Sequence, residues 1–93
     1  MIDEMKQLQT YLQSRYTKAN VSVMTFPSGA ATLDFKMNDL LWTFEYSPKE
    51  GFGISRVEKD QDAWDPEKYV AFGKGEFDKA RDYFLSLVSE IDL

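Results

Sequence analysis

A chain of 93 residues with neither cysteine nor histidine can bury one modest core, and it lacks disulfides, thiolate metal ligands and the usual general base near neutral pH. Sixteen acidic residues against eleven basic ones leave a net charge of -5, which disfavours broad contact with nucleic acid or an anionic membrane and suits a basic partner. Ordinary apolar content and 15% aromatic residues predict a folded single domain over residues 1–93; with no leader-like start and no apolar run long enough to cross a bilayer, the cytoplasm is the expected location.

Taken in order, Ile2 to Tyr16 reads as a helix, because Ile2, Met5, Leu8, Leu12 and Tyr16 recur at steps of three and four and form one apolar stripe. Asp3 and Glu4 stand where a helix start favours negative charge, and Arg15 and Lys18 where its end favours positive charge. Gln7, Gln9, Gln13 and Ser14 fall on the wet side, and Tyr11 rims the core. The short link through Ala19-Asn20 predicts that the helix doubles back over the sheet that follows.

Val21 to Val57 reads as an antiparallel meander of four strands. On both sides of Asn38-Asp39 apolar and polar residues alternate, with Leu41 the exception, and Asn-Asp tolerates the left-handed backbone of a two-residue hairpin loop. That loop sets Met37 opposite Leu40, Phe35 opposite Trp42, Leu33 opposite Phe44 and Ala31 opposite Tyr46, so every pair on one face is apolar. A slip of one residue would mix the faces. A three-residue loop at Pro27-Ser28-Gly29, with Gly29 left-handed, sets Val23 opposite Leu33 and Val21 opposite Phe35 and keeps that face intact. The third turn, Pro48-Lys49-Glu50 followed by Gly51, allows Tyr46 to face Phe52 and Phe44 to face Ile54.

Residues 58–68 are irregular: five acids and two lysines surround Trp64, with a turn or helix start at Asp65-Pro66. The run Tyr69-Val70-Ala71-Phe72 fits either a fifth short strand or one helical turn. Glu76 to Glu90 reads as the second helix, with Phe77, Ala80, Phe84, Leu87, Val88 and Ile91 on its buried stripe. The expected fold is a two-layer α+β domain: a four-stranded antiparallel meander with an N-terminal and a C-terminal helix on one face.

No motif for catalysis is present. Glu58, Asp60 and Asp62 alternate as in an oxygen-rich calcium loop, but counting from Asp60 the turn glycine position holds Asp65 and the twelfth position holds Ala71. The plainer reading is a solvated acidic loop, and no metal or cofactor is expected. Gly73-Lys74-Gly75 precedes a helix, where free backbone donors can hold phosphate, yet the Walker ending is missing, and turn geometry explains the glycines. Asp34 and Glu45 share the outer sheet face but stand diagonal to each other and not in a cleft, unlike a glycosidase pair. Sheet aromatics can stack RNA bases, but here they lie mainly on the helix-covered face, and nucleic acid is not the expected partner.

The remaining candidate is a protein-binding surface. The outer sheet face carries Met24, Phe26, Leu41 and Val57 with few charges, and Trp64 sits amid Glu58, Asp60, Asp62 and Asp65. Acids would steer a basic partner and the tryptophan would supply a desolvated anchor; the competing reading has Trp64 plug the edge of the core. In size and charge alone the chain resembles small acidic inhibitors such as immunity proteins and phage-encoded antagonists. The expected function is that of a non-enzymatic inhibitor or adaptor of another protein, with no membrane role. The alternatives are a self-associating structural protein, such as a homodimer, and a small ligand-binding protein or enzyme acting near residues 58–75.

Overall fold

The computed structural model describes residues 1–38, 40–58 and 68–90, with 57, 58, 68 and 69 described by their backbone alone. The element order is α1 (Ile2–Arg15), β1 (Asn20–Thr25), β2 (Ala31–Met37), β3 (Leu40–Ser47), β4 (Gly51–Glu58), β5 (Lys68–Phe72) and α2 (Phe77–Ser89). All five strands join one antiparallel sheet in sequence order.

The expected meander pairing is present in full. Val21 pairs with Phe35 and Val23 with Leu33. Phe35 pairs with Trp42 and Leu33 with Phe44, and Phe44 pairs with Ile54 and Tyr46 with Phe52. The turn chemistry explains why. Asn38 has φ 58°, the left-handed backbone that a tight hairpin demands; its loop neighbour Asp39 lies outside the described residues. At the first hairpin the Phe26 amide donates to the Ala30 carbonyl and the Gly29 amide to the Phe26 carbonyl, each at 3.0 Å. Gly29 there takes φ 92°, which a Cβ would strain. At the third, Ser47 Oγ accepts from the Lys49 and Glu50 amides at 3.2 and 3.4 Å. Gly51, at φ 97°, passes so close to the Phe72 carbonyl that a Cβ would collide with it.

The sheet has five strands, which corrects the expected four. Residues 68–72 pair with β4, setting Val70 opposite Ile54 and Phe72 opposite Phe52. Over four residues neither period could show itself in the sequence. Valine and aromatics fit a pleated surface, and pairing satisfies backbone groups of β4 that would otherwise form a bare edge.

Both helices cover the apolar face, and the core is one cluster. Trp42, Phe35, Phe44 and Phe84 are its largest fully buried side chains. The helix α1 docks through Met5, Leu8 and Leu12, and Tyr16, just past its end, sets its ring edge-on to Phe35 at 5.3 Å. From α2, Phe84 and Phe77 meet Phe44 edge-on at 5.4 and 6.0 Å, so Phe44 is the hub of an aromatic cluster that includes Phe52. Such edge-to-face contacts contribute roughly 0.5–1.5 kcal/mol per pair beyond area burial. No helix among the described residues is long and apolar enough to cross a membrane.

Two glutamines assigned to the wet side of α1 have structural work. Gln9 Nε2 donates to the Val21 carbonyl at 3.0 Å and Gln13 Nε2 to the Ala19 carbonyl at 2.9 Å. Those carbonyls point away from β2, and the amides occupy the place of a neighbouring strand.

Candidate functional site

The outer sheet face has a register that can be read row by row. Met24, Thr32, Glu45, Gly53 and Ala71 lie side by side across the five strands. The next row runs Ser22, Asp34, Thr43 and Ser55, and the one beyond it Asn20, Lys36, Leu41 and Val57. In the middle row Thr43 Oγ1 donates to Asp34 Oδ1 at 3.1 Å.

This register separates residues that the sequence suggested as one surface. Leu41 and Val57 pair at the end of the face nearest the β2–β3 turn. Met24 and Phe26 stand at the opposite end, on β1 and just past it. Four residues along a strand amount to about 13 Å, and the Asp34–Thr43 pair interrupts the distance with polar groups. Leu41 is half-buried, whereas Met24 and Phe26 are 58% and 42% exposed. Glu58 is placed by its backbone, opposite Leu40. Asp60, Asp62, Trp64 and Asp65 lie outside the described residues, as does the question of whether Trp64 enters the core.

At the Met24–Phe26 end the face is concave. A depression of about 600 Å³ lies between the β1–β2 and β3–β4 turns. Its shape follows from residue size: Gly51, Gly53, Ala30 and Ala71 line it with little or no side chain, while Phe26 and Glu45 stand beside them. Among the described residues its charged lining is Glu45 and Glu50, and none is basic. This site escapes a strand-by-strand reading because it is made by juxtaposition. The legible signal is Gly53 directly opposite Glu45, a missing side chain next to an acid; Ala71 joins them only through the β4–β5 pairing.

A second depression, of about 510 Å³, runs between the helices. Leu8, Tyr11, Phe77 and Leu85 supply its apolar lining, with Glu4, Asp78 and Arg81 among its charged groups. Tyr11 is 53% exposed at this groove. Arg81 is engaged there by Asp78 at 3.3 Å and by Asp82 at 3.1 Å, and lies over the Phe77 ring.

Of the two glycines before α2, Gly73 already has its amide engaged within the chain. Glu76 Oε1 accepts from the Gly73 amide at 2.7 Å, and its Oε2 pairs with Lys79 Nζ at 3.2 Å. The hydrogen bond from Gly73, then that from Lys79, hold the Glu76 carboxyl below the ordinary glutamate range. The chain's own carboxylate thus takes the Gly73 amide, a donor that an anion bound by the glycine turn would need. Among the described residues no three acidic side chains cluster as a metal site would require. Comparison of the chain with protein families, with curated proteins and with solved structures finds no match.

Proposed function

We propose that this chain is a small acidic protein-binding domain, an inhibitor or adaptor of another protein, that docks a basic and partly apolar segment of its partner on the outer sheet face. The observation that carries this reading is the depression bordered by Phe26, Glu45 and Glu50, in which acids and an exposed aromatic meet and no base is present among the described residues. Carboxylates beside a concave, partly apolar floor favour a cationic side chain whose stem packs on Phe26 and whose head meets Glu45 or Glu50. The overall charge of -5 and the acidic segment from Glu58 to Glu67 add long-range attraction for the same partner.

The test is a titration of the backbone-labelled protein, followed by NMR, with a synthetic peptide alternating arginine and leucine. Shifts are expected at Thr32, Glu45, Gly53 and Ala71. Phe26→Ser and Glu45→Lys should each weaken binding by at least about tenfold, as for a desolvated anchor and a close charge partner. A response confined to the interhelical groove, at Tyr11 and Phe77, would overturn the assignment of the face.

A further inference from the structure

The free edge of β1 carries a second, independent message. Antiparallel pairing turns alternate residues toward and away from the neighbouring strand. The bond from the Phe26 amide to the Ala30 carbonyl assigns Phe26, Met24, Ser22 and Asn20 to β2, so Val23 and Thr25 point their backbone groups outward. The glutamine bonds agree, since they reach the outward carbonyls of Val21 and Ala19. Half of this edge is therefore closed by α1. Beyond Gln9 the closure stops: among the described residues no side chain donates to the Val23 or Thr25 carbonyl.

Edge strands are normally protected by charge, by proline or by a covering element. Here residues 19–33 hold no charged side chain, in a chain of which 29% is charged. Nothing on this edge repels a second copy, even though each molecule carries -5. Met24, at the centre of the open segment, and Phe26, just past it, are two of the most exposed large apolar side chains among the described residues.

We propose that the open half of the β1 edge pairs antiparallel with the same half of a second copy, with Met24 opposite Met24 at the two-fold axis. In this register Val23 meets Thr25 of the other chain twice, giving about four inter-chain hydrogen bonds, two from each bonded pair. Ser22 then faces Phe26 across the junction on the outer side. The next outward pair would be Val21 with Pro27. Its ladder cannot continue, because proline has no amide hydrogen and the Val21 carbonyl is held by Gln9. The segment is thus self-complementary and bounded at both ends by the same two features. A contact this short buries too little for a permanent dimer, so the association is a reversible one, in the micromolar range. It does not rest on the docking of a basic partner.

The experiment is sedimentation of the full chain from low to high micromolar concentration, with amide hydrogen exchange followed by NMR over the same range. A monomer–dimer equilibrium is expected, together with exchange at the Val23 and Thr25 amides that slows as concentration rises. Thr25→Pro removes an amide used only between chains, and Met24→Lys sets two like charges at the axis. Each should raise the dissociation constant by at least about tenfold while leaving the far-ultraviolet circular dichroism unchanged. The exchange measurement on the unaltered chain stands even if a variant misfolds. A monomer at every concentration would overturn the proposal. So would a dimer in which Val23 and Thr25 exchange no more slowly, as stacking of the sheet faces would give.

Discussion

Trp42 shows most directly how a single residue balances gain and cost in this core. Its ring is 1% exposed and lies against the hydrophobic cluster, with the Arg56 guanidinium over it at 5.2 Å. Its Nε1, however, is buried with no hydrogen-bond partner among the described residues. Truncation to alanine should cost on the order of 3–5 kcal/mol, the usual range for a large buried aromatic. Phenylalanine loses part of the ring contact but also removes a buried donor that no described residue satisfies, and leaving such a donor unpaired costs about 1–3 kcal/mol. The expected outcome is that Trp42→Phe destabilises by about 1 kcal/mol or less, far below the alanine variant. Urea denaturation followed by far-ultraviolet circular dichroism checks this. Equal losses in the two variants would mean that the indole nitrogen is satisfied after all.

Among the elements, α2 has the clearest electrostatic signature, at its start. Glu76 accepts the Gly73 amide and pairs with Lys79, and its carboxyl is held below the ordinary range. A depressed pKa in the folded state means that ionised Glu76 stabilises the fold above the unfolded value, and that this contribution is lost as pH falls through the folded value. Glu76→Gln keeps an acceptor for Gly73 but gives up the charge. The variant should therefore be less stable at neutral pH, with the deficit shrinking as pH drops below the ordinary glutamate range. Thermal melts over that acid range test it; a deficit independent of pH would assign the effect to shape and not to charge. Glu76 also illustrates what was readable in the chain and what was not. The missing Walker ending after Gly73-Lys74-Gly75 argues against a nucleotide loop and turn geometry explains the glycines, while the carboxylate that takes the Gly73 amide was not legible there. The meander was legible: period-two alternation around Asn38-Asp39 and a glycine at Gly29 leave one register that keeps Leu33, Phe35, Trp42 and Phe44 together. In the sequence the fifth strand stays open against a helical turn, since the four residues from Tyr69 to Phe72 are too few to tell a period of two from one of about 3.6. Gln9 and Gln13 were unreadable because helical periodicity reports distance from the core and not proximity to a strand edge. The depression at Glu45 and Gly53 was half-readable, because its wall and floor sit opposite each other in register while Ala71 arrives from the strand that the sequence leaves undecided.

For the whole molecule, the two proposed associations respond oppositely to salt, because one opposes like charge and the other uses unlike charge. Two copies bring -5 each to a junction whose own residues are neutral, so their repulsion acts over distance and is screened once the Debye length falls to about 10 Å or less. Raising ionic strength should therefore strengthen the β1–β1 dimer or leave it unchanged. Docking of a basic segment gains from the same net charge through attraction, so salt should weaken it, chiefly by slowing association, with dissociation nearly constant. Phe26→Ser, which removes a desolvated contact and no charge, should instead speed dissociation and leave the salt slope unaltered. Stopped-flow binding of the arginine–leucine peptide and sedimentation, both run across a salt series, measure the two slopes. If peptide binding were insensitive to salt, the acids of the outer face would have no part in recognition. If the dimer dissociated as salt rose, an ion pair between copies would have to hold it in place of an uncharged strand edge.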